Sequence, residues 1–303
     1  MKQDRAPAGL KRAHYERALL PALLLFPQLA ILLLFFFIPA FRALTQSLTL
    51  ADPFGNTVVF VGLDNFVQLF KSSNYHDSVK VTVVFTLAQN LLTIAVALVL
   101  AFASDRVIRG RGVYKAIILL PYAIAPVIAG ILWALLFNPA VGPLAQLIKA
   151  AGIGWDPNRV GEHAMILVVL AASWKHICYD YIFLLAGLLA IPRSLLEAAA
   201  VDGAGPLRRF FDVGLPLLAP TVFFLVVMNF VYGFFEIFGI IDAVTHGGPA
   251  GATNVLVYKV FQDGFVNLDL GSSAAQSVLL MAFAVSMTIL QFRFVERRVN
   301  YDT

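Results

Sequence analysis

EAAAVDGAGPLRRFFDVGLP, Glu197 to Pro216, lies between two long apolar runs and decides how the rest of the chain is read. Ser194 followed by Glu197 forms a capping box, with the hydroxyl covering one free amide and the carboxylate another, which predicts a short helix starting here. Gly203 ends that helix. Pro206 suits the first turn of a second one, where a missing N–H is harmless, and Leu207, Phe210 and Phe211 then share a face opposite Arg208, Arg209 and Asp212. In hydrocarbon, Glu197, Asp202, Arg208, Arg209 and Asp212 would together cost about 15 kcal/mol, at roughly 3 each. The segment therefore belongs in water or against another protein, as a polar hinge between membrane spans.

The composition agrees. The 303 residues are 60% hydrophobic and 13% charged, with a mean hydropathy of +0.82, too apolar for a soluble globular domain. Outward from the hinge, runs without a charge predict six transmembrane helices near residues 18–41, 81–104, 116–137, 164–191, 213–235 and 270–292, with 192–212 as the polar loop. The first run spans roughly 36 Å at about 1.5 Å per residue, longer than the core of a cleavable signal, so an uncleaved anchor is expected. In the third, Pro121 and Pro126 are expected to kink the helix, and Asn138-Pro139 to end it. Segments 42–80 and 236–269 read as external, with turns at Asp52–Asn56 and at Gly247-Gly248-Pro249.

Most of the 22 Lys and Arg flank the proposed cytoplasmic ends, beginning with a basic tail over residues 1–17. Only Arg42, Lys71, Lys80, Lys149, Arg159 and Lys259 fall outside, with Lys175 in a span. Positive-inside bias thus puts both termini and the hinge in the cytoplasm. The fourth span carries Lys175, His176 and Asp180, and an ionisable residue inside a span is a functional candidate. The other reading is a polar His176–Asp180 pair on one helical face, with Lys175 snorkelling toward headgroups. Asn229 in the fifth span joins these substrate-path candidates, whereas Gln89 and Asn90 in the second read first as bonds between helices. Cys178 excludes an internal disulfide and reads as a packing residue. No GxxxxGK[ST], HExxH or clustered Cys and His occurs, so neither a nucleotide, a metal nor a catalytic residue is expected in this chain.

Glu197-Ala198-Ala199, Asp202-Gly203-Ala204 and Leu215-Pro216, with Val213 where isoleucine is usual, resemble the coupling loop of permease subunits of bacterial binding-protein-dependent ABC importers. FVGLDNF (Phe60–Phe66), LLPYAIAPVIAGILWALLFNP (Leu119–Pro139) and IPRSLLEAAAVDGAGPLRRFF (Ile191–Phe211) are similar to permeases for sugars and sugar-like solutes. LDLGSSAAQSVLLM (Leu268–Met281) and QFRFVERRV (Gln291–Val299) resemble the branch that imports sn-glycerol-3-phosphate. The resemblance implies the all-α type I permease fold in the bacterial inner membrane. The loop Glu197, Ala198, Ala199, Asp202, Gly203, Arg208, Arg209, Leu215 and Pro216 would dock on an ATPase dimer that holds ATP and Mg. It further implies a second, homologous permease subunit and a periplasmic solute-binding protein, and no nucleic acid. Other carbohydrate solutes and glycerophosphodiesters stay open. A second class, an ion-coupled secondary transporter, would show internal repeats, and none is clear. A membrane enzyme would need more than the one cluster at Lys175, His176 and Asp180.

Overall fold

The computed structural model describes residues 19–51, 57–106 and 110–298; the basic tail 1–17 and the Asp52–Asn56 turn lie outside the described residues. Helix α1 (Leu19–Leu32) passes through a π-helical turn, Leu33–Phe37, into α2 (Ile38–Gln46), so the first apolar helix continues beyond Phe41 and includes Arg42. A small antiparallel hairpin follows, β1 (Thr49–Ala51) on β2 (Val58–Phe60), with Thr49 opposite Phe60. In α3 (Asp64–Lys71), buried Asn65 donates to the carbonyls of Ser47 at 2.9 Å and Thr49 at 3.0 Å, pinning the FVGLDNF segment to the end of α2. Helix α4 (Ser73–Arg106) is the longest.

The third apolar run departs from its expected kink. It is two helices, α5 (Arg111–Leu119) and α6 (Pro126–Leu136), joined by a 3-10 turn at Leu120–Ala123. Their axes are bent by 101°. Proline disfavours the helical region for the residue before it, and Ala125 sits at φ −61°, ψ 144° beside an extended Ile124 at φ −87°, ψ 130°. Two prolines within one turn and a half remove two amides, which permits a break at this point.

Then come α7 (Pro143–Ala150), α8 (Gly161–Ala190), α9 (Arg193–Val201) and α10 (Pro206–Arg209). A π turn at Phe210–Gly214 carries α10 into α11 (Leu215–Val231), and another, Tyr232–Glu236, leads to α12 (Phe238–Val244). Helices α13 (Leu256–Phe261) and α14 (Leu270–Arg298) complete the chain. Among the described residues, five helices are long and apolar enough to cross a membrane, and the bent pair α5–α6 makes a sixth if it counts as one span.

The core is the seam between α4 and α8, with α11 laid across it. Ala97, Ala101, Ala171 and Ala172 are fully buried, the small side chains that let apolar helices come close without a hydrophobic drive from water. Gly233 serves the same end: a Cβ there would lie 2.6 Å from Thr86 Oγ1, so only glycine lets the turn after α11 rest on α4. Helix α6 packs against α12. From Leu23 to Phe37, α1 and the π turn after it expose large apolar side chains, interrupted by Gln28.

Candidate functional site

The break in the third apolar run opens a cavity of about 570 Å³. Its walls are the irregular segment Tyr122–Pro126, the middle of α8 with Lys175, His176 and Tyr179, and the end of α11 with Met228, Val231, Tyr232 and Glu236. Non-helical backbone at membrane depth survives only where it lines water or protein, and this segment meets that condition. Lys175 Nζ sits 5.8 Å from the centre of the Tyr122 ring, within range of a cation–π contact. The His176 ring stacks on Tyr232 with centroids 4.1 Å apart, and Tyr179 lies 5.2 Å away on the same helix. The cavity thus presents one ammonium, one imidazole, one carboxylate and three phenol rings to a small polar solute.

Of the four substrate-path candidates, Lys175 and His176 line this cavity, while Asp180 and Asn229 are fully buried behind it. Asn229 donates to Asp180 Oδ2 at 2.8 Å, and Gln89 donates to Thr93 Oγ1 at 2.9 Å and more loosely to Asn229 Oδ1 at 3.4 Å. Asn90 donates to the Val226 carbonyl at 3.0 Å. Gln89 and Asn90 reach across from α4 to α11, as the sequence reading preferred for them, whereas Asn229, named there among the substrate-path candidates, ties α11 to Asp180 on α8. His176 Nε2 and Asp180 Oδ1 face each other at 4.0 Å, too far for a hydrogen bond, and neither has another partner. Sequence reasoning missed Tyr122, Tyr179, Tyr232 and Glu236 as wall residues. The clue for Tyr122 was its place between the two prolines; Glu236 begins the segment that the sequence reads as external.

The second site is the polar loop. Helix α9 begins with Pro192 as its N-cap and no side-chain capping bond, so the Ser194–Glu197 capping box does not form. Proline pre-sets the turn one residue pair earlier and places Ser194 inside the helix. Its end matches expectation: Gly203 adopts φ +82°, Gly203 N donates to Ala200 O at 3.1 Å and Ala204 N to Ala199 O at 2.9 Å. This paired closure needs a left-handed residue, and glycine supplies it without a Cβ penalty. Nothing lies within 4 Å of where that Cβ would be, so the glycine serves the turn and not close packing within this chain.

The second hinge helix differs from expectation in two ways. It is not separate, since Pro206–Glu236 runs as one helical span through the π turn. Its inward face also differs: Arg209, Phe210, Val213 and Gly214 turn inward, with Phe210 buried against Phe102 at centroids 4.7 Å apart, whereas Phe211 and Leu207 are exposed. Arg208 pairs with Asp212 at 3.1 Å on the outside, but Arg209 turns inward and donates to the Leu196 carbonyl of α9 at 3.5 Å. Glu197, Ala198, Asp202 and Gly203 form an exposed edge, with Ala199 half-buried. Beside it Val201 is 89% exposed. Leu215 and Pro216 sit in the first turn of α11, where the loop becomes span.

A helical membrane protein with a polar cavity at a broken helix and an exposed, stiff loop feeding directly into a span is built as a permease. The chain belongs to the family of binding-protein-dependent transport system inner membrane components, whose profile matches residues 93–301. Over 292 residues it is 54% identical to the sn-glycerol-3-phosphate transport system permease protein UgpA of Rhizobium meliloti, covering 96% of this chain and 100% of that protein. The protein of the same name from Yersinia enterocolitica is 49% identical over 96% of this chain and 99% of its own length. Among solved structures, a bacterial ABC transporter involved in import of the acidic polysaccharide alginate superposes with a TM-score of 0.78 at 22% identity, covering 93% of this chain and 96% of that one. A bacterial alginate ABC transporter in complex with an alginate pentasaccharide-bound periplasmic protein also gives 0.78, at 21% identity, covering 92% of this chain and 94% of that one.

Proposed function

We propose that this chain is the transmembrane permease subunit of an ATP-driven importer that moves sn-glycerol-3-phosphate inward across the bacterial inner membrane by alternating access. The observation that carries this reading is whole-length similarity at 54% identity to permeases named for that solute. The cavity is consistent with it. A phosphorylated polyol leaving water needs fixed positive charge or donors, and Lys175 and His176 stand on the wall where such an anion would pass.

In this reading both termini and the loop 192–212 face the cytoplasm. A second, homologous permease subunit completes the passage, and an ATPase dimer carrying ATP and Mg docks on the exposed edge Glu197–Gly203 and Val201. A periplasmic solute-binding protein delivers the solute from the other side. Because the hinge continues into α11, closure of the ATPase dimer moves that span as a body, and α11 carries part of the cavity wall. The binding protein can shift the equilibrium only by preferring the outward-facing state.

The test is ATP hydrolysis by the assembled complex in lipid with its binding protein, titrated in parallel with sn-glycerol-3-phosphate, maltose and glycerol. Stimulation by the phosphorylated polyol alone is expected. Stimulation by a sugar instead would move the solute assignment, and uptake abolished by an ionophore but indifferent to vanadate would overturn the ATP-driven class.

A further inference from the structure

The inward turn of Arg209 leaves a charge without a counter-charge. It enters a separate cavity, of about 140 Å³, at the hinge end of the spans. Phe102 near the end of α4, Leu188 and Ile191 at the end of α8, Leu196 of α9 and Phe210 of the π turn wall it, together with Arg209. Among the described residues that line this cavity, Arg209 carries the only charge. Its Nε is buried and has no hydrogen-bond partner, and the bond from Nη1 to the Leu196 carbonyl is long at 3.5 Å. Among the described residues no carboxylate pairs with it; Asp212, three residues on, pairs outward with Arg208 at 3.1 Å. A guanidinium offers five donors in a rigid fork, and one held among apolar walls is costly unless a hydrogen-bonded anion joins it. That anion has to come from outside this chain.

Position and size narrow its identity. The cavity sits where α4 and α8 end and α11 begins, the level at which hydrocarbon gives way to headgroups. Arg209 and Leu196 both keep part of their surface exposed, so the cavity is not sealed. On the hinge around it, exposed Leu195, Leu207 and Phe211 alternate with exposed Arg193 and Arg208, the mixture of an interfacial segment. A volume of about 140 Å³ matches about five waters, room for one phosphate group and adjoining carbons but not for a nucleotide. Inorganic phosphate would meet the fork but press its other oxygens, unpaired, on Phe102, Leu188 and Phe210. A phospholipid fits both halves, with one phosphate charge for the fork and hydrocarbon for the walls.

We propose that this cavity binds the phosphate of an anionic phospholipid through the Arg209 guanidinium. The bound lipid braces α9 against the π turn Phe210–Gly214, because Leu196 and Phe210 face it from either side of the Gly203 turn. Coupling between hinge and span then depends on lipid charge. This rests on the function proposed above for the cytoplasmic leaflet and for the activity to be measured; occupancy is read separately.

The experiment places the assembled complex in bilayer discs of phosphatidylethanolamine with a rising fraction of phosphatidylglycerol. Tightly bound lipid is counted by native mass spectrometry, and ATP hydrolysis is stimulated with solute-loaded binding protein. The unmodified complex should retain phosphatidylglycerol. Arg209→Gln should lose it and need about fivefold more phosphatidylglycerol for half-maximal stimulation. Arg209→Lys, which keeps the charge, should recover most of both, and Arg193→Gln, which removes an exposed cation outside the cavity wall, should retain the lipid. Leu196→Trp fills the cavity with its charge unchanged and should displace the lipid, so the site stays testable if Arg209→Gln does not assemble. Equal retention in Arg209→Gln, or in Leu196→Trp, and the unmodified complex overturns the site. Stimulation restored by inorganic phosphate in discs without phosphatidylglycerol would make the ligand a free oxyanion and overturn the lipid. Loss of the ATPase subunits from Arg209→Gln in every lipid, with retention unchanged, would overturn it in favour of a partner's carboxylate. If the unmodified complex is not stimulated by its binding protein in any lipid, that failure belongs to the proposed function, and the lipid count alone decides the cavity.

Discussion

Two apolar helical runs carry paired prolines near their starts and treat them in opposite ways. The fifth run, with Pro216 and Pro220, stays one helix from Pro206 to Glu236. Ahead of Pro216 the chain widens into a π turn in which Leu215 N bonds the Phe210 carbonyl, and Leu215 itself remains helical at φ −66°, ψ −41°. In the third run, Pro121 and Pro126 end one helix and begin another at 101°. The residue type is the same, so proline alone does not explain the outcome. What differs is the surroundings. Freed backbone groups at membrane depth need partners or water; the broken segment of the third run lines a cavity of about 570 Å³, while the fifth keeps its course through a π turn in which Leu215 N reaches the Phe210 carbonyl. A proline pair permits a break; a polar cavity beside it stabilises one.

The sharpest way to break this comparison is to remove the cavity-side pair. In Pro121→Ala with Pro126→Ala, each replacement lifts a helix-breaking penalty of about 3 kcal/mol. A continuous helix then becomes favoured, and uptake should fall at least about a hundredfold with the complex still assembled. Uptake within a few fold of normal would mean that the break does not open the path. Next in size is Lys175→Ala. Loss of a charge-assisted contact worth about 2 kcal/mol should cut transport of a phosphorylated solute roughly thirtyfold, with assembly intact. An equal loss for a neutral solute would show that Lys175 shapes the cavity instead of attracting charge. At the other end of the fifth run, Gly203→Val forces a β-branched residue to φ +82° at about 1–2 kcal/mol or more. Solute-stimulated ATP hydrolysis should drop about tenfold while insertion is normal, and unaltered stimulation would count heavily against the coupling role of this turn.

How much of this was legible beforehand depended on the range of the interaction that decides it. Charge-free runs are where the long helices fall, because hydropathy is written in each segment and the bilayer reads it locally. Gly203 was legible for the same reason: a left-handed helix end is a property of a few neighbouring residues. The break at Ile124–Ala125 was not, since two prolines are compatible with a kink or a break until the α8 and α11 side chains around them are known. Nor was the wall role of Tyr122, Tyr232 and Glu236, since the segments around 122–126, 175–179 and 228–236 are far apart in the chain and meet only in three dimensions. The inward turn of Arg209 escaped because periodicity alone does not say which face a neighbouring element covers, and the partner it reaches is the Leu196 carbonyl of α9. The capping box failed for a local reason: Pro192 is the better start, and it displaced Ser194 from the capping position.

The smallest effect tests the other half of the comparison. Pro220 lies inside α11 and has no amide to offer the Pro216 carbonyl one turn before it. Pro220→Ala supplies that amide, so the helix gains a bond without any change in course, because the run is already continuous there. The thermal midpoint of the complex should rise by a few degrees, in line with about 1 kcal/mol, and uptake should stay within about twofold. If instead uptake collapsed as in the Pro121/Pro126 variant, the proline pair in the fifth run would be a working joint, concealed in this conformation, and the two runs would differ in state and not in kind. A stable, active Pro220→Ala protein leaves the asymmetry standing: one span breaks to make the path, and the other stays whole to move it.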